Sequence, residues 1–88
     1  MIDRSLLCTI LQLLREQKDL AGGTMENALF DDVNLRATVS VMPSLLREHL
    51  LKAEEKDWIS SRLDALRTKR WRITPNGENA LKDLQMGA

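Results

Sequence analysis

Leu6, Leu7, Ile10, Leu13 and Leu14 recur at three- and four-residue intervals, a spacing that sets them along one stripe of an α-helix. The pattern predicts an amphipathic helix from about Asp3 to Gln17, capped by Asp3 or Ser5, with Leu11 widening the stripe and Arg15 and Glu16 in water. Gly22 and Gly23 break it. Thr24 then reads as the cap of a second, shorter helix through roughly Asp32, with Met25, Ala28 and Leu29 inward and Phe30 as an anchor. From Asn34 to Met42 the period changes to two. Leu35, Ala37, Val39 and Val41 alternate with Asn34, Arg36, Thr38 and Ser40, which suggests a short extended piece able to add to a later hairpin.

Pro43 disfavours helical geometry at Met42 and suits a first helical turn, so a third helix is predicted from Pro43 to about Lys56. Leu46, Leu50 and Ala53 form its buried stripe and Leu45 and His49 flank it; Ser44, Arg47, Glu48, Leu51, Glu54 and Glu55 fall on the other faces. Leu51 is the apolar exception there, either a harmless exposed leucine or part of a partner surface.

The stretch Trp58 to Leu84 carries the most specific grammar. Strands are predicted over Trp58 to about Leu63 and Lys69 to Ile73, with Trp71 and Ile73 on one face of the pleat and Arg70 and Arg72 on the other. Thr74 caps a last helix, Pro75 takes its first position, Glu78 complements the dipole, and Ala80, Leu81 and Leu84 face inward. Gly77 stands where a Glu would complete a capping box.

Eighty-eight residues make one small domain, in which about 60–65% of the unfolded chain's surface is buried. Phe30, Trp58 and Trp71 are the only aromatic residues, so aliphatic side chains must fill the core, and a large catalytic cavity does not fit. Thirteen Lys and Arg balance 13 Asp and Glu, so any attraction for a polyanion has to be local. Cys8 is the sole cysteine, which excludes an internal disulfide and, with one histidine, a Cys/His zinc site; the cytoplasm is the expected compartment. Asp3 and Arg4, with Thr9 and Gln12 interrupting Leu6 to Leu14, fit neither a signal peptide nor a membrane span.

The order helix, helix, extended piece, helix, strand, strand, helix resembles a winged helix-turn-helix domain. LLREHLLKAEEKDWI looks like the end of a recognition helix leading into a wing strand, and RWRITPNGENAL like the second wing strand and closing helix of MarR- and PadR-style regulators. The resemblance covers roughly Leu6 to Leu84, and its specific part is Leu46 to Leu81; the chain is also similar to small uncharacterised winged-helix proteins of transposable prophages. It implies an α+β, mostly α fold over residues 1–88: a three-helix core, a two- or three-stranded wing sheet and a C-terminal helix. It places Ser44 and Arg47 at groove-facing positions of a recognition helix, and Arg67, Lys69, Arg70 and Arg72 on a wing whose tip is Asp64 to Thr68. Two positions depart from the pattern. Asp57 stands where a Gly is usual, and the wing tip has no Gly, so its turn must be made with Asp64 and ordinary residues.

The cluster Arg62, Arg67, Lys69, Arg70 and Arg72, opposed in that window only by Asp64, is the strongest functional feature. Double-stranded DNA is its expected partner, bound by a dimeric transcriptional regulator with Arg47 as chief base reader and Ser44 reaching a phosphate or base edge. The competing reading is a protein-interaction module on the same scaffold, motivated by the neutral net charge, the acids Glu48, Glu54 and Glu55, and apolar Leu45 and Leu51. No nucleophile–base pair, phosphate loop or ligand spacing points to an enzyme, a cofactor or a metal. His49 reads as a satisfied, half-buried histidine, Cys8 as a small hydrophobe, and Asp31 with Asp32 as a solvated helix end.

Overall fold

The computed structural model describes residues 2–19, 22–36 and 40–86. Its elements, in order, are α1 (Arg4–Glu16), β1 (Thr24–Met25), α2 (Glu26–Arg36), α3 (Pro43–Glu55), β2 (Ile59–Leu63), β3 (Lys69–Ile73) and α4 (Pro75–Met86). The strands form one antiparallel sheet in the order β1-β3-β2. This is the winged helix-turn-helix arrangement: α+β, with the β2–β3 hairpin as the wing and α4 closing the fold.

Helix α1 is the central wall. Its stripe of Leu6, Leu7, Ile10, Leu11, Leu13 and Leu14 is buried against α2, α3, α4 and the sheet, and Asp3 caps it by accepting from the Ser5 and Leu6 N–H groups at 2.9 and 3.3 Å. Trp71 enters the core from the middle strand, joined by Ile59, Ile73, Leu46, Leu50, Ala53 and Leu81. Each fully buried Leu or Ile contributes about 1.5–3 kcal/mol, so this single cluster is the main source of stability.

Four expectations before α3 are corrected. Thr24 is not a helix cap: it lies in β1, paired with Trp71, and its hydroxyl donates to Gln17 Oε1 at 2.7 Å. Met25 and Ala28 are exposed rather than inward, and α2 buries Leu29 and Val33 instead. The helix also continues past Asp32 to Arg36, so Asn34, Leu35 and Arg36 are helical, not extended. The strand that joins the hairpin is β1; Ser40 and Val41 form no strand, and 37–39 lie outside the described residues. Asn34 explains how α2 hands over to α3: its side-chain oxygen accepts from the Val41 N–H at 2.7 Å, and its amide donates to Phe30 O at 3.1 Å.

The two glycine anomalies both have physical reasons. Helix α3 ends in a Schellman motif, with Trp58 N–H donating to Ala53 O at 2.9 Å and Asp57 N–H to Glu54 O at 3.0 Å. Asp57 takes the left-handed position of that motif, φ 62°, a conformation that Asp tolerates better than most residues. Its carbonyl accepts from the Thr74 hydroxyl at 2.6 Å and its carboxylate from Asn76 Nδ2 at 2.9 Å, tying the end of α3 to the start of α4. Gly77 forgoes a capping box because a Cβ there would overlap the Trp58 carbonyl oxygen and lie 2.8 Å from Ile73 Cγ1. Thr74 still caps α4, accepting from Gly77 N–H at 3.0 Å.

Candidate nucleic-acid interface

Helix α3 divides cleanly. Leu46, His49, Leu50 and Ala53 are buried, which leaves Ser44, Arg47, Glu48 and Leu51 on one exposed stripe at intervals of three and four. His49 is fully buried rather than half-buried. Its Nε2 accepts from Asp3 N–H at 2.8 Å and its Nδ1 lies 2.8 Å from Leu45 O, so both ring nitrogens are engaged when Nδ1 carries the proton. Its role is to fasten α3 to the start of α1.

Arg47 is the main cation of the exposed stripe, with 67% of its side chain accessible. It does not stand alone: its guanidinium meets Glu26 Oε2 at 2.8 and 3.3 Å, a partner supplied by the first turn of α2. Sequence reasoning missed Glu26, since 21 positions separate the pair and no local periodicity links them.

The wing turns without glycine because Asp64 organises it. One carboxylate oxygen accepts from the N–H groups of Leu66 and Thr68, each at 2.9 Å, and the other from Arg70 Nε at 3.0 Å. The Thr68 N–H, then the Arg70 guanidinium, hold the Asp64 carboxyl below the ordinary carboxylate range. Arg67 takes the left-handed conformation, φ 60°, that the tight turn demands. Among the described residues Arg62 and Arg67 have no ion-pair partner.

The hairpin register distributes the basic side chains over two surfaces. Lys69 shares the core-side face of β3 with Trp71, its ammonium 4.7 Å above the indole ring. Arg47, Thr68 and Lys69 border one shallow depression of about 160 Å³ together with Met25, Glu26 and Asn27. Helix α3 and the wing thus meet along one edge, with Ser44 further along the α3 stripe and Arg67 at the wing tip. Arg62, Arg70 and Arg72 occupy the outer face of the sheet instead, where Arg62 lies opposite Arg70 and Ser60 opposite Arg72. Among the described residues no group of three or more His, Cys, Asp or Glu is placed to hold a metal ion, and no helix is long and apolar enough to cross a membrane.

No family model matches the chain, and no curated protein matches it in sequence. In three dimensions it is similar to the structure of a transcriptional regulator from Clostridium thermocellum, Cth-833, with a TM-score of 0.75. The match covers 89% of this chain and 74% of that one at 21% sequence identity, a likeness of fold.

Proposed function

We propose that the protein is a DNA-binding transcriptional regulator that presents the exposed stripe of α3 to a major groove and the wing edge to the adjoining backbone. The observation that carries this reading is the shared border of Arg47 and Lys69: a helix and a hairpin contribute cations to one continuous edge. Arg47 and Ser44 are the base-reading side chains, and Lys69 and Arg67 meet phosphates. Leu51, one helical turn beyond Arg47 on the same stripe, suits contact with a thymine methyl group. A solved structure of the same fold belongs to a transcriptional regulator, which supports the assignment. Two copies of so small a domain, in the manner of MarR- and PadR-style regulators, reach adjacent half-sites and double the contact area.

A second reading, a protein-interaction module, is favoured by Leu51 and Ile2 bordering a shallow depression of about 330 Å³ with Glu48, Lys52 and Glu55. Selection of duplexes from a random-sequence pool separates the two. A regulator enriches a consensus site and loses it in Arg47→Ala, whereas an interaction module enriches nothing.

A further inference from the structure

The ion pair between Arg47 and Glu26 uses only part of the guanidinium. Glu26 Oε2 accepts from Arg47 Nη2 at 2.8 Å and from Nε at 3.3 Å, so a single oxygen occupies the side of the fork nearest the stem. A guanidinium carries five N–H donors in a fixed plane, and these contacts engage two of them. The end edge, made of Nη1 and the second Nη2 hydrogen, has no partner among the described residues. It belongs to a largely exposed side chain in the first half of α3, the part of a recognition helix that meets base edges.

The carboxylate is the fixed member of the pair. Its side chain is 23% accessible, and it stands in the first turn of α2, where the helix dipole favours a negative charge. Met25, directly before it, pairs with Arg70, which ties the start of α2 to the middle strand of the sheet. A long arginine, otherwise able to swing toward any anion, is therefore held from one side by a group that belongs to the scaffold.

The carboxylate also decides what the free edge accepts. An incoming phosphate meets Glu26 as well as Arg47, so the attraction of a lone guanidinium for the backbone is weakened. Neutral acceptors carry no such penalty. In a major groove guanine alone offers two adjacent acceptors, O6 and N7, in the spacing of a guanidinium fork; adenine sets its N6 amino group beside N7, thymine presents a single O4, and cytosine an amino group.

We propose that Arg47 reads a guanine through its Nη1–Nη2 edge and that Glu26 is the positioning residue that makes this contact selective, by aiming the fork and by opposing phosphate. The inference rests on the DNA-binding reading above and adds to it the base that is recognised.

The test takes the consensus duplex enriched by the native chain from a random-sequence pool. Its affinity is measured by fluorescence anisotropy beside a copy in which the guanine whose selection depends on Arg47 is replaced by 7-deazaguanine, which lacks the N7 acceptor. The native chain should lose about tenfold in affinity on this replacement, and Arg47→Ala should be indifferent to it. In Glu26→Ala the penalty should fall below about threefold, while binding to an unrelated duplex tightens. Glu26→Gln, which keeps an acceptor oxygen and loses the charge, should recover most of the 7-deazaguanine penalty yet still bind the unrelated duplex more tightly than the native chain does. That split separates aiming from charge, and a loss of folding does not produce it. A consensus with no Arg47-dependent guanine overturns the inference, as does a 7-deazaguanine penalty that Glu26→Ala retains in full; in either case duplex binding that falls steeply with salt leaves the proposed function standing. Absence of binding by the native chain to every duplex overturns both.

Discussion

Arg47 of α3 and Glu26 of α2 form an ion pair at 2.8 Å at the edge where the helix and the wing meet. The carboxylate satisfies the arginine in the unbound protein and opposes any phosphate or base edge that approaches it. Partly exposed pairs of this kind contribute about 0–1 kcal/mol to stability, so the pair is weak enough to open. Glu26→Gln is therefore expected to change stability by less than about 1 kcal/mol while raising affinity for duplex DNA by about 3- to 10-fold. Fluorescence anisotropy beside a chemical denaturation curve checks both; unchanged affinity means that Arg47 is not at the contact.

Gly77 carries a prediction of unusual sign. In a free helix Gly→Ala gains about 1 kcal/mol. Here the new methyl meets the Trp58 carbonyl oxygen and Ile73, so Gly77→Ala should destabilise the domain by about 2 kcal/mol or more, read as a lower denaturation midpoint with an unchanged slope.

Burial of His49 predicts its tautomer. Its nitrogen resonances at neutral pH should show the proton on Nδ1, with Nε2 accepting from Asp3 N–H. His49→Ala removes both bonds and leaves a cavity between α1 and α3, at a cost of about 2–4 kcal/mol. A stable His49→Ala domain would show that the junction between these helices is held elsewhere.

The depressed Asp64 pKa gives the wing an acid sensitivity. A carboxyl whose folded pKa lies below its unfolded value stabilises the folded state above the ordinary carboxylate pKa, about 4, and loses that contribution as pH falls through the folded value. The Leu66 and Thr68 amide signals, whose N–H groups donate to this carboxylate, should shift together in that acidic window. Asp64→Asn should abolish the transition and loosen the turn, since the amide no longer offers two anionic acceptors.

Much of this fold was legible in local patterns. Thr74, Pro75 and the alternation through Trp71 and Ile73 placed β3 and α4 where the structure has them, because cap, proline and pleat are short-range signals. Strand β1 was hidden: two residues are too few to show alternation, and the partner of Thr24 is Trp71, far along the chain. The alternation from Asn34 onward misled because Leu35, an exposed helical residue, looked like one step of a strand. At the site, Arg70 and Arg72 were assigned to one face by pleat alone, whereas Glu26 opposite Arg47 required the tertiary fold that brings the first turn of α2 to Arg47. The basic cluster read as one wing surface divides over two faces, a distinction that depends on hairpin register.

The proposed contact with duplex DNA runs along the α3–wing edge through Arg47, Lys69 and Arg67. Its most direct test is fluorescence anisotropy of a labelled duplex across a salt series, with the native chain and with Arg67→Ala and Lys69→Ala. Affinity should fall steeply with salt, with a log–log slope reduced by about 1 for each cation removed and uniform weakening across sequences. Slopes unchanged by either substitution, or no binding to any duplex at low salt, contradict it.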